Sequence, residues 1–300
     1  VAAVKTVAVI GAGIMGRGIA HVAALGGYRT ILEDILPASL RKAESEIRAN
    51  LDKGVELGKL EKSAADAAFS RIQLVGSVEE AAREADLVIE AVPEEMDSKI
   101  EIFTLLDKIC RPGTILASNT SSLSVTEIAS VTYRPRKCVG MHFFNPVHKM
   151  KLLEVVRALE TDDETIAAAT EVGQRMGKEV VVIKESPGFI TSRINAMIGN
   201  EAFYMLQEGI ASAEDIDKAL KLGLNHPMGP FELVDLVGLD TRLHILEYLH
   251  KSLGEKFRPA PLLVQHVKAG RLGRKTGRGV FDYPDAQSSQ EKAAESKLVH

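Results

Sequence analysis

Two residues twelve positions apart are the first whose types could do chemistry together. His142 closes the apolar run Cys138-Val-Gly-Met-His142, and Glu154 sits inside Lys151-Leu-Leu-Glu154-Val-Val, where burying an unpaired carboxylate would be costly. An imidazole that takes a proton from a hydroxyl needs an acid to orient it and to stabilise the imidazolium, so the pair can be read as a general-base dyad. Spacing alone equally allows a structural salt bridge, and Glu154 would serve in either. Upstream, Ala117-Ser118-Asn119-Thr120-Ser121-Ser122 follows a strand and sets hydroxyls and an amide at the same sheet edge. Ser124-Val-Thr-Glu127 has capping-box spacing, which makes Ser124 structural and leaves Ser121 for a substrate. His21, His244, His250 and His266 fall in helical patterns and read as surface or half-buried residues. No HExxH or Cys/His cluster occurs and His142 and His148 do not share a helix face, so no metal is expected.

A second constellation lies near the start. Val7-Ala-Val-Ile10 runs into Gly11-Ala12-Gly13-Ile14-Met15-Gly16, a strand leading through G-x-G-x-x-G into a helix. Gly11 permits the tight turn, Gly13 lets a pyrophosphate approach the backbone, and Gly16 lets the helix pack on the strand. The helix N-terminus then faces the phosphates. The next strand, Thr30-Ile-Leu-Glu-Asp34, ends in an acid where the ribose hydroxyls of the adenosine half would lie. Its carboxylate repels a 2′-phosphate, and Ile35, Leu36 and Pro37 offer no Arg to receive one, so the predicted cofactor is NAD rather than NADP.

The elements that must position these residues alternate through the first half. Apolar, β-branched runs at Val4–Ile10, Arg29–Asp34, Asp86–Val92, Thr114–Ser118, Lys137–Phe143 and Glu179–Ile183 are separated by helical stretches, the signature of βαβ units in a parallel sheet. The longest helical candidate, Pro37 to about Leu57, has a Lys/Glu-rich face and should protrude, partly solvated. Pro187-Gly188 breaks the pattern, and helical periodicity follows over Phe189–Gln207, Ala213–Lys221 and Pro230–Leu253. The predicted fold is α/β, a Rossmann-type doubly wound sheet over 1–186 followed by an all-α domain over 187–284, with a disordered polar tail over 285–300. A chain of 300 residues can hold two such domains, each with its own core. Net charge of −4 and the absence of Trp disfavour nucleic acid as a partner. Two cysteines without a CxxC, and no apolar run of membrane-spanning length, point to a cytoplasmic protein with no membrane partner.

Taken together, the glycine loop, Ala117-Ser-Asn-Thr-Ser-Ser122, His142-Phe-Phe-Asn-Pro146, Pro187-Gly-Phe189 and Pro227-Met-Gly-Pro-Phe231-Glu-Leu resemble the short-chain L-3-hydroxyacyl-CoA dehydrogenases, most closely the bacterial 3-hydroxybutyryl-CoA members, over residues 4 to about 284. The resemblance implies a helical domain that makes a homodimer, and a short-chain 3-hydroxyacyl-CoA or 3-ketoacyl-CoA as substrate. It implies that His142 is the base, Glu154 its orienting acid and Ser121 the hydroxyl that holds the substrate oxygen and contacts the cofactor. Asn145 resembles the family's nicotinamide-side residue, and Glu94, Lys99 and Lys275 match cofactor residues. Asn50 matches a coenzyme A contact on the long helix. A family lysine falls on Leu57, with Lys53 and Lys59 as nearby substitutes. The family asparagine after Pro-Gly-Phe is replaced by Ser192, and Asn195 lies about one turn further on. The implied reaction is NAD-dependent interconversion of a 3-hydroxyacyl thioester and its 3-keto form. The rivals are a dehydrogenase of free hydroxy or sugar acids, and a non-catalytic NAD-binding or structural protein. The intact His142, Glu154 and Ser121 argue against the latter.

Overall fold

The computed structural model describes residues 3–284, so the polar tail expected to be disordered lies outside the described residues. The chain divides into two compact units between Phe189 and Ile190, just after the Pro187-Gly188 break.

The first unit runs β1 (Thr6–Ile10), α1 (Ile14–Leu25), β2 (Arg29–Glu33), α2 (Pro37–Glu56), α3 (Lys62–Ser70), β3 (Ile72–Val75), α4 (Val78–Ala82), β4 (Leu87–Glu90), α5 (Met96–Ile109), β5 (Ile115–Ser118), α6 (Val125–Ala129), β6 (Cys138–Phe143), β7 (Leu152–Arg157), α7 (Asp163–Arg175) and β8 (Glu179–Lys184). The eight strands form one sheet in the order β3-β2-β1-β4-β5-β6-β7-β8. The chain starts in the middle, builds outward to β3, and returns to lay β4 on the other side of β1. Ligands bind outside the carboxyl ends of strands at such a switch point.

The sheet is parallel, as βαβ units require, except at one pair. β7 runs antiparallel to β6, because the residues between Phe143 and Leu152 are too few for a crossover helix and the chain can only reverse. The helix α7 then restores a parallel crossover into β8. β3, a short and partly exposed edge strand, has too little apolar pattern to stand out in the sequence.

β1 is buried along its whole length, Val7 and Val9 in the core that α1, α2, α3 and α7 share, and Ala8 and Ile10 in the one that α4, α5 and α6 share. That explains its continuous apolar run. α2 is anchored by a buried stripe, Ala43, Ile47 and Leu51, with Leu40 and Val55 partly buried beside it. The two larger side chains of that stripe contribute about 1.5–3 kcal/mol each by burial, while the opposite, charged face stays wet. Among the described residues, no helix is long and apolar enough to cross a membrane.

The second unit is helical: α8 (Thr191–Gln207), α9 (Ala213–Gly223), α10 (Pro230–Val237), α11 (Leu239–Leu253) and α12 (Pro261–Lys268). Its core centres on Phe203 and Phe231, edge to face at 5.1 Å, with Leu246, Leu249, Phe257 and Leu263. The periodic stretch Pro230–Leu253 is two helices, because Gly238 at φ +107° interrupts the backbone. Asp217 on α9 accepts N–H bonds from Phe231 (2.8 Å) and Glu232 (2.9 Å), which satisfies the open start of α10.

Candidate active site

At the switch point the glycine loop is built as its sequence demands. Gly11 sits at φ +97°, and a Cβ on Gly16 would come within 1.7 Å of the Gly11 carbonyl oxygen, so α1 starts pressed onto the turn. No side chain caps the N-terminus of α1 at Gly13, where a Cβ would meet nothing within 4 Å. Asp34 ties the loop to the end of β2: Ala12 N–H donates to Oδ2 at 2.9 Å and Leu36 N–H to Oδ1 at 2.9 Å. Each oxygen keeps acceptor capacity for a ribose hydroxyl. Open backbone donors at a helix start, room above Gly13 and an anchored acid at the next strand fit a dinucleotide such as NAD.

The neighbouring Glu33 is a residue that sequence reasoning passed over. It is 2% exposed, its Oε1 has no hydrogen-bond partner, and burial, with the charge of Asp34 adding to it, pushes its carboxyl up to about 7.

Beyond the loop, the ends of β4 and β5 share a buried acid–base network. Lys99, with no exposed side-chain surface, pairs with Glu90 Oε1 at 2.7 Å and Glu94 Oε2 at 3.3 Å. Glu90 also accepts from Val92 N–H (2.8 Å) and Ser118 Oγ–H (2.6 Å). Burial raises the Glu90 carboxyl, and the ammonium of Lys99 opposes that rise. Glu94 Oε1 accepts from Thr120 Oγ (2.6 Å), Ser121 N–H (2.7 Å) and Ser121 Oγ (3.1 Å). Lys99 therefore acts on this edge through the carboxylate that orients Ser121. Ser124 caps α6 by accepting from Glu127 N–H at 3.1 Å, as its spacing predicts. Glu90 was missed, although a carboxylate in the apolar run Leu87-Val-Ile-Glu90 is the same signal that singles out Glu154.

His142 and Glu154 are register partners across the antiparallel β6–β7 pair. Side chains directly opposite on one face stand close enough to touch. Here Nδ1 of His142 lies 2.7 Å from Oε2 of Glu154, with the residues 6% and 1% exposed. Phe144 and Phe189 flank the imidazole at ring-centroid distances of 4.3 and 5.8 Å. With Nδ1 engaged by the acid, Nε2 is the nitrogen that can exchange a proton with a ligand. Asn119 Oδ1 accepts from Phe143 N–H at 3.1 Å, which ties the Ser121 segment to the end of β6. Asn145 stands exposed in the turn just past β6.

The first unit thus gathers Gly11–Gly16 with Asp34, Glu94 and Lys99 with Ser121, and His142 with Glu154. Asn50, half-buried, and Lys53, ion-paired to Glu56 at 3.0 Å, lie on the last turns of α2. Lys59 is exposed just beyond it. Ser192 and Asn195 are half-buried near the start of α8 in the second unit. Lys275, also in that unit, contacts both carboxylate oxygens of Asp240 at 2.6 Å.

Comparison with known proteins adds the following. The family model described as "3-hydroxyacyl-CoA dehydrogenase, NAD binding domain" matches residues 6–186, and that of the family's C-terminal domain matches 188–283. A "Probable 3-hydroxybutyryl-CoA dehydrogenase" of Bacillus subtilis is 47% identical over 95% of this chain and 99% of its own. A "3-hydroxybutyryl-CoA dehydrogenase" of Bradyrhizobium diazoefficiens is 46% identical, covering 95% and 98%. The crystal structure of (S)-3-hydroxybutyryl-CoA dehydrogenase PaaH1 from Ralstonia eutropha superposes with a TM-score of 0.91 at 43% identity, covering 94% of this chain and 99% of that one.

Proposed function

This chain belongs to the 3-hydroxyacyl-CoA dehydrogenase family, and from that premise we propose that it interconverts a short-chain (S)-3-hydroxyacyl-CoA, such as 3-hydroxybutyryl-CoA, with the 3-ketoacyl-CoA. The cofactor is NAD, which when bound supplies the hydride acceptor. The observation that carries the reading is the 2.7 Å contact between His142 Nδ1 and Glu154 Oε2, at the sheet edge that also holds the glycine loop.

In the oxidative direction His142 Nε2 takes the proton of the 3-hydroxyl. Glu154 accepts the Nδ1–H bond throughout, keeps that tautomer in place, and offsets the positive charge that forms on the ring. Ser121 is held by its N–H bond to Glu94, and its one hydroxyl hydrogen turns from Glu94 to the substrate oxygen, whose negative charge grows as its proton leaves. Phe144 and Phe189 keep water from the imidazole, which strengthens the charge pairing. Asn145 stands on the nicotinamide side, and Lys99 and Lys275 belong to the cofactor's surroundings. Asn50, with Lys53, serves the coenzyme A end, while Ser192 and Asn195 serve the acyl thioester.

Self-association as a dimer through the second unit is part of the same reading, supported by its exposed Ile194, Leu222, Leu224 and Leu236. So is a cytoplasmic location, in keeping with two free buried thiols.

The test is NADH oxidation with acetoacetyl-CoA and with acetoacetate. Turnover should require the thioester, because binding energy from the remote nucleotide is used in the transition state. Equal catalytic efficiency with the free acid would turn the assignment to a hydroxy-acid dehydrogenase.

A further inference from the structure

We propose that Lys178 is a positioning residue for this reaction, one that clamps the turn between β6 and β7 and so holds Asn145 and the end of the His142 strand in place. The inference rests on the reading of Asn145 given above.

Lys178 stands in the turn that joins α7 to β8 and is 7% exposed. Its Nζ donates to the carbonyl oxygens of Val147 and, at 2.8 Å, Met150. Both lie in the turn that starts at Asn145. The turn is closed on itself by Lys149 N–H and Met150 N–H, which donate to the Pro146 carbonyl at 2.9 and 3.0 Å. Its opposite side rests on the nucleotide-binding helix. Val147 is buried under Gly18 of α1, where a Cβ would come within 2.8 Å of Val147 Cγ2. His148 stacks on His21 of α1, with ring centroids 5.6 Å apart and planes within 7°. The segment that carries Asn145 is therefore fastened to the cofactor helix on one side and to a single ammonium on the other.

That ammonium is held without a counter-charge: among the described residues no carboxylate lies within ion-pair distance of Lys178, and it donates to main-chain carbonyls. Burial pushes Lys178 down to about 8, so it is charged at neutral pH, whereas burial, with His148 and Lys178 adding to it, pushes His21 down to about 4. A flexible chain with three donors on one atom can satisfy two carbonyls that diverge around a tight turn, which an apolar side chain cannot. A displacement of about 1 Å in a group that orients the reaction can reduce turnover about a hundredfold.

The experiment measures steady-state kinetics and thermal stability of Lys178→Met, Lys178→Arg, Asn145→Ala and the Lys178→Met/Asn145→Ala double variant. Expected are a kcat at least tenfold lower for Lys178→Met with the KM for acetoacetyl-CoA within twofold, and partial recovery in Lys178→Arg. In the Asn145→Ala background, Lys178→Met should cost little more. Folded Lys178→Met protein with unchanged kcat, or the same loss with and without Asn145, overturns the proposal while leaving the role of Asn145 intact. An unaffected Asn145→Ala enzyme overturns both. If Lys178→Met is insoluble, Lys178→Ala, which also lacks a donor, is judged by the same criteria, and wild-type kcat there refutes the clamp.

Discussion

Replacing Glu154 with Gln keeps the shape of the side chain beside His142 and removes its charge, which isolates what the carboxylate does for the imidazolium. The contact is 2.7 Å between Nδ1 and Oε2, and the acid is 1% exposed, so solvent screens the pair weakly. Charge centres roughly 4 Å apart attract by about 4 kcal/mol at an effective dielectric of about 20. The amide oxygen can still accept Nδ1–H, and a neutral hydrogen bond keeps about 0.5–1.5 kcal/mol of that. The net loss, about 2.5–3.5 kcal/mol, falls on the transition state, where the ring becomes charged, and corresponds to a drop in kcat of roughly 70- to 400-fold. If the amide instead turns its NH2 toward Nδ1, the imidazole is held in the wrong tautomer and the loss approaches about 10⁴-fold. The assay is the initial rate of absorbance change at the NADH band in both directions, with NADH affinity measured by its fluorescence to show that the cofactor site is intact. A Glu154→Gln enzyme within threefold of wild type would make the pair a structural salt bridge and refute the dyad.

The double change Asp34→Ser with Ile35→Arg removes the carboxylate just past β2 and supplies a cation for a 2′-phosphate; the ratio of kcat/KM for NADH over NADPH should fall by about tenfold or more, one charged hydrogen bond being worth about 1.5–3 kcal/mol. A native enzyme that already prefers NADPH would sink the reading of β2. Ser192→Ala should lose about two- to thirteenfold in kcat, the worth of one neutral hydrogen bond, and a loss as large as that of His142→Gln would make Ser192 a principal catalytic residue. Glu33 holds its proton up to about 7 in the folded chain but only to its usual value of 4.5 when unfolded. The folded form therefore binds more protons between these values, and stability falls as pH rises through that window, by at most about 3 kcal/mol. Glu33→Gln should flatten this fall, so that the variant gains in Tm over wild type between about pH 5 and about pH 8; a difference that stays constant with pH excludes the effect.

What could be read from the residues was mostly local. The glycine loop, its strand and the acid that ends the next strand are specified by spacing within about thirty residues, and the geometry follows from backbone sterics. His142 and Glu154 were legible because a charge inside an apolar run demands a partner. Glu90 and Glu33 carry the same signal, but no local pattern links Glu90 to Lys99, whose contact depends on how α5 returns across the sheet. The split of Pro230–Leu253 at Gly238 was hidden because apolar periodicity continues across the glycine. The reversal of β7 was hidden because a strand's own residues carry no sign of its direction; only the shortness of the connection from Phe143 to Leu152 does.

That reversal also governs how the site tolerates changes in chain length. His142 and Glu154 face each other through a hairpin, so their meeting depends on the count of residues 144–151 and on nothing in the crossovers that place the glycine loop. Side chains alternate along a strand, and a slip of one position turns each of them to the opposite face of the sheet. A single residue inserted into this turn and absorbed as such a slip would swing Glu154 away from His142 with every residue of the site still present in the chain, whereas lengthening the loop between α2 and α3 would leave their register untouched.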